Sequence, residues 1–132
     1  MGGASLALQR GLVAALRGDA ALMAVVSGVF DGPRPAAVLP YLTLGPDVVS
    51  DAGSKTGSGC EHRLTVSVWD EGPGVAGAKG VMALIEAAIT GLSGALDGHV
   101  LVWARVSRSF TTADVEGATR GVLEIRARTE AV

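Results

Sequence analysis

Two stretches of strict period-two alternation constrain this chain more than any other feature. In "CEHRLTVSVWD", Leu64, Val66 and Val68 fall on one side, and Arg63, Thr65, Ser67 and Trp69 on the other. In "TRGVLEIRART", Leu123, Ile125 and Ala127 alternate in the same way with Glu124, Arg126 and Arg128. Successive side chains of a strand point to opposite faces, so each stretch predicts a strand with one apolar and one polar side. Strands of this kind build an antiparallel sheet that is covered on one face and open on the other. The cover must come from the rest of the chain.

Two helical segments supply it. At 100° per residue Leu8, Leu12, Ala15 and Leu16 form one stripe, with Arg10 and Arg17 opposite. Ser5 is the expected N-cap and Gly18 the expected stop, and "DAALMAVV" reads as a further turn or two of helix. The two arginines interrupt the apolar run a secretory signal would need, so this is read as a core helix. The second segment, "GPGVAGAKGVMALIEAAITGL", places Val81, Leu84, Ile85, Ala88 and Ile89 on one stripe, away from Lys79 and Glu86. Gly77 and Gly80 each disfavour a helix interior by about 1 kcal/mol, which implies a frayed start or a neighbour packed close against them.

After the proline-punctuated "VFDGPRPAAVLP", the segment "YLTLGPDVV" returns to period two, with Leu42 and Leu44 on one face. The glycine-rich "SDAGSKTGSG" joins it to the Leu64–Val68 strand as a long β-hairpin with Lys55 near the tip. "HVLVWARVSRSF" predicts a further strand, separated from the last by the polar loop "TTADVEGA". The order is αββαββ. With 132 residues the expectation is one domain over residues 1–132. Its class is α+β: a two-layer domain with a mainly antiparallel four-stranded sheet and two helices packed on one face.

Composition and motifs narrow the chemistry. A formal charge of −2 leaves no broad footprint for gripping nucleic acid, only room for a local basic patch. Cys60 has no second cysteine, and with His62 and His99 it matches no zinc-ligand spacing. No uncharged apolar run approaches the ~20 residues that span a bilayer, so no membrane partner is expected. A phosphate-binding loop needs Gly, four residues, then Gly-Lys-Ser/Thr. Lys55 and Thr56 are in order, but Ser54 and Val49 stand where the glycines belong. No Gly-x-Ser-x-Gly elbow opens a helix, and Asp47, Asp51, Asp70, Glu71 and Asp114 read mostly as loop residues. No catalytic residue, cofactor or metal is expected.

Strand parity assigns the open sheet face Arg63, Thr65 and Trp69, then Leu101, Trp103, Arg105 and Ser107, then Glu124, Arg126 and Arg128. Aromatic residues and arginine with little lysine are the composition of a protein interface, which nominates Trp69, Trp103, Arg105 and Arg126 as subunit contacts. The bland alternative is that the tryptophans cover the sheet edge. A third reading is a single-stranded nucleic-acid-binding module that stacks bases on this face, although an RNA-recognition domain would run βαββαβ. At the hairpin tip, Asp51, Ser54, Lys55 and Thr56 are candidates for docking on a partner. Gly53, Gly57 and Gly59, with only Ala52 apolar among them, imply a tip that gains order on docking, with Lys55 as anchor.

The chain resembles the tail-completion, or tail-terminator, family of long-tailed bacteriophages and gene transfer agents. The likeness begins in "ALQRGLVAALRGDAALMAVV", continues through "VFDGPRP" and "LPYLTLG", and is densest from "SKTGSGCEHRLTVSVWD" into the second helix. It ends with "GHVLVWARV" and "DVEGATRGVLEIRARTE". The resemblance implies a homo-oligomeric ring, generally a hexamer, that terminates the tail tube and joins it to the head-completion or connector protein. DNA passes through the lumen as cargo, and the protein acts in the bacterial cytoplasm during assembly and then in the particle neck. A mean hydropathy of +0.41 fits a domain whose surface is partly covered by ring neighbours.

Overall fold

The computed structural model describes residues 1–32, 37–55, 57–115 and 117–132, with only the backbone of Asp114 and Val115. Residues 33–36 of the proline-rich connection, Thr56 of the hairpin tip and Glu116 lie outside the described residues. In chain order the elements are α1 (Gly2–Arg17), α2 (Ala20–Met23), β1 (Val29–Phe30), β2 (Tyr41–Asp51), β3 (Gly59–Asp70), α3 (Ala76–Ile89), β4 (Gly94–Ala95), β5 (His99–Val115) and β6 (Ala118–Ala131). They form one six-stranded sheet in the order β1-β2-β3-β6-β5-β4. All pairings are antiparallel except β1 with β2.

The α+β class and the mainly antiparallel sheet are as expected, while the element count is corrected. Two-residue strands β1 and β4 add an edge on each side, and the four-residue α2 is a separate helix capped by Asp19, whose carboxylate accepts from the Leu22 N–H. Elements this short carry no readable period. The "TTADV" part of the expected polar loop is strand instead: β5 runs to Val115, which pairs with Ala118.

The core lies between the helices and one sheet face. Leu8, Leu12 and Leu16 of α1 and Val81, Met82, Ile85 and Ile89 of α3 meet Leu64, Val66, Val68, Leu123, Ile125 and Ala127. Each apolar stripe thus buries against strand positions of one parity, which fixes register because a one-residue slip would turn every side chain over. Ser5 is not the N-cap. The helix starts at Gly2, the Ser5 N–H already bonds to the Met1 carbonyl, and the Ser5 hydroxyl donates to Asp47 Oδ2 at 2.5 Å. Gly18 is the C-cap of α1, as predicted.

Candidate assembly surface

The sheet face away from the helices is a grid set by strand register. One row runs Val48, Arg63, Arg126, Arg105 across β2, β3, β6 and β5. A second runs Ser50, Glu61, Arg128, Trp103, and a third joins Thr65, Glu124 and Arg108. Two further rows carry Thr43, Ser67, Val122 and Phe110, then Tyr41, Trp69, Arg120 and Thr112. Six arginines therefore share one face: Arg63, Arg105, Arg108, Arg120, Arg126 and Arg128.

Like charges directly opposite one another destabilise a sheet, so the Arg63–Arg126–Arg105 row needs compensation. Part of it is on the face. Arg126 lies 3.9 Å from Glu61, Arg108 pairs with Glu124, and Arg128 lies 3.3 Å from Glu130. The Arg105 guanidinium lies 5.2 Å from the centre of the Trp103 ring, within cation–π range. A shallow concavity of about 320 Å³ lies among Arg63, Ser107, Arg108, Glu124, Ile125 and Arg126.

The structure brings Trp103, Arg105 and Arg126 together but leaves Trp69 apart. Trp69 sits in the Arg120 row and Trp103 in the Arg128 row, eight residues along β6, or about 26 Å. The Trp69 indole donates to Thr43 Oγ1 at 2.9 Å, and the Arg120 guanidinium lies 5.2 Å from its ring centre. Both ends of this tryptophan are engaged within the chain.

Two of the parity assignments on β5 are corrected. Leu101 faces the core at 3% exposure, and Ser107 sits in a bulge with its hydroxyl donating to the Glu124 carbonyl. One extra β5 residue between Leu101 and Trp103, and another between Val106 and Arg108, reverse the parity twice. Simple alternation therefore places Trp103 and Arg105 correctly but loses Arg108 and Phe110.

A similar irregularity at Gly45-Pro46 turns Asp47 toward the helices. Of the five acids expected mostly in loops, Asp47, Asp51, Asp70 and Asp114 lie in strands. Asp47 meets Ser5 and lies 3.7 Å from Nδ1 of the buried His62, whose Nε2 is 2.8 Å from Thr129 Oγ1. Hydroxyl, imidazole and carboxylate in line look like a catalytic relay. His62 and Thr129 are 1% and 0% exposed, so no substrate reaches them, and the cluster is a polar clasp between α1 and the sheet. Its sequence signal was the Gly-Pro pair, which marks a bulge.

At the hairpin tip, Asp51 Oδ1 accepts from the Gly53 N–H at 3.0 Å, and the Ser54 N–H bonds to the Gly57 carbonyl at 2.8 Å. The Arg128 guanidinium reaches the Ala52 carbonyl at 3.2 Å. The tip is expected to need outside contacts to gain order; here two of these bonds order the tip internally, and the Arg128 bond ties it to β6 by a polar rather than an apolar contact. Ser54 and Lys55 are exposed there. Among the described residues no group of three or more His, Cys, Asp or Glu gathers as a metal site, and no helix is long and apolar enough to cross a membrane.

Fold and surface define a small α+β domain whose distinctive chemistry lies on a sheet face and a hairpin tip. A family model for tail completion protein gp17 matches residues 10–130, and the chain belongs to that family. It is also similar to a chain in the solved structure of the virion of a native gene transfer agent (GTA) particle. The two share 34% identity and a TM-score of 0.86, over 96% of this chain and 97% of that one. No curated protein sequence matches the chain. The membership first read from ordered motifs is therefore shown.

Proposed function

We propose that copies of this chain assemble into a ring, six in number, that terminates a tail tube and joins it to the head connector, with DNA crossing the lumen. The protein works in the bacterial cytoplasm during assembly and then at the particle neck, and its work is structural rather than enzymatic. The observation that carries this reading is the family match over residues 10–130, reinforced by the near full-length likeness to a chain of a GTA virion. Trp103, Arg105 and Arg126, with Trp69 at the far corner of the same face, contribute to contacts between neighbours. The Asp51–Thr56 tip docks on the tube or an adjoining subunit, with Lys55 as anchor.

The competing reading, base stacking on the sheet face, is weakened by Trp69, whose ring is already covered by Arg120. Three of the six arginines on the face also have glutamate partners. Native mass spectrometry and a salt titration of oligonucleotide binding separate the two. The ring reading expects a closed oligomer and DNA affinity no better than about 10⁻⁴ to 10⁻⁶ M at physiological salt. A monomer that binds single strands at nanomolar concentration overturns it.

A further inference from the structure

The sheet has two incompletely covered edges. On one side β1 pairs with β2 only at Leu42 and Thr43; on the other, β4 pairs with β5 only at Val100 and Leu101. Among the described residues, Asp47–Asp51 of β2 and Trp103–Thr112 of β5 have no strand on their outer side. Such edges present rows of backbone donors and acceptors that template another strand. The large apolar side chains that stand exposed on strands belong to these two edge strands: Val48 at 60%, Val102 at 40% and Phe110 at 40%.

We infer that the two edges pair with each other between neighbouring copies, with Asp47–Ser50 of one subunit lying against the Arg108–Thr111 segment of the next, Val48 opposite Phe110. This rests on the ring reading and specifies its contact. Polarity favours it. β2 is antiparallel to β3, β3 to β6 and β6 to β5, so β2 and β5 run in opposite directions. Rotation about an axis roughly along the strands then brings β2 of one copy beside β5 of the next as an antiparallel pair.

Charge disfavours the symmetric pairing of β5 with β5. That pairing would bring the exposed Arg105 and Arg108 of one copy near those of the other, whereas β2 offers exposed Asp51 and neutral Val48 and Ser50. Bulges at Pro46 and Ser107 bound the two paired segments, each four residues long in this register. Val48 and Phe110 both project from the outer face, in rows that cross β6 at Arg126 and Val122. Joining them staggers neighbouring copies by four residues, about 13 Å, and stagger is what a sheet needs in order to curl toward closure. The contact is heterologous, the kind that generates rings.

The test is cross-linking in a Cys60→Ser background. Opposed strand residues have Cα atoms about 4.5–5.5 Å apart, within disulfide range. Val48→Cys with Phe110→Cys in one chain should give, on mild oxidation, a ladder of covalent oligomers ending at the ring. Each single variant should stay uncross-linked, and a mixture of the two should stop at dimers. If the double variant loses its fold by circular dichroism, Ser50→Cys with Arg108→Cys tests the same register. Cross-linking of either single variant with itself, or a ring by native mass whose double variant fails to cross-link, overturns edge pairing and leaves the ring reading standing. A monomer at every concentration overturns both.

Discussion

Gly77 and Gly80 lie one turn apart on α3, yet the same substitution should act on them with opposite sign. An alanine at Gly80 would meet no atom within 4 Å, and the position is exposed and inside the helix. Gly80→Ala therefore keeps the propensity gain, about 0.5–1 kcal/mol. For a domain of this size that is a rise of roughly 2–5 °C in Tm. At Gly77 the new Cβ would stand 2.6 Å from Asp70 Oδ2 and 3.1 Å from its Cγ and Oδ1. Asp70 is buried, and its Oδ2 accepts from the Gly72 N–H at 3.0 Å. To make room the carboxylate must turn away from that bond, and hydrogen bonds to charged groups contribute about 1.5–3 kcal/mol. The helix gain is at most about 1 kcal/mol, so Gly77→Ala should lose about 0.5–2 kcal/mol net. Urea or thermal unfolding at one fixed protein concentration measures both, since association shifts apparent stability. The Asp70→Ala background supplies the control: there Gly77→Ala should become neutral or stabilising. If Gly77→Ala raises Tm as much as Gly80→Ala does with Asp70 intact, the close approach does not constrain this helix start.

Thr129→Val should cost about 1–3 kcal/mol in denaturant unfolding, because it leaves Nε2 of the buried His62 without its partner; a loss below about 0.5 kcal/mol would show that the clasp bears little stability. Deleting Gly53–Gly57 leaves a three-residue connection between the paired Asp51 and Cys60, short enough to close the hairpin. The circular dichroism of the domain should be retained while tail joining is lost, and particles at parental titre would show that the tip is only a connection.

Legibility in the sequence followed what each residue buries inside its own chain. Leu64, Val66 and Val68, and Leu123, Ile125 and Ala127, alternate without interruption because the helices cover every one of them. The α1 and α3 stripes were legible for the same reason. Of the two explanations for the α3 glycines, a close neighbour holds at Gly77, which is pressed by Asp70, while Gly80 fits neither, lying inside the helix with open space around it. Misreadings fall where the strands leave that cover. The β5 bulges moved Leu101 inward and Arg108 and Phe110 outward, and the bulge after Leu44 turned Asp47 onto His62. The outer halves of β2 and β5 bury few side chains within this chain, so selection for its own core imposes no period there, and extra residues are tolerated. A row of three arginines across neighbouring strands is likewise invisible to a pattern read along one strand, because it exists only in the register between them. The candidate contact surface was therefore partly legible as composition, through Trp103, Arg105 and Arg126, and illegible as geometry. In the proposed ring that surface is completed by another copy, so its constraint lies in the pair of chains and one sequence carries half of it.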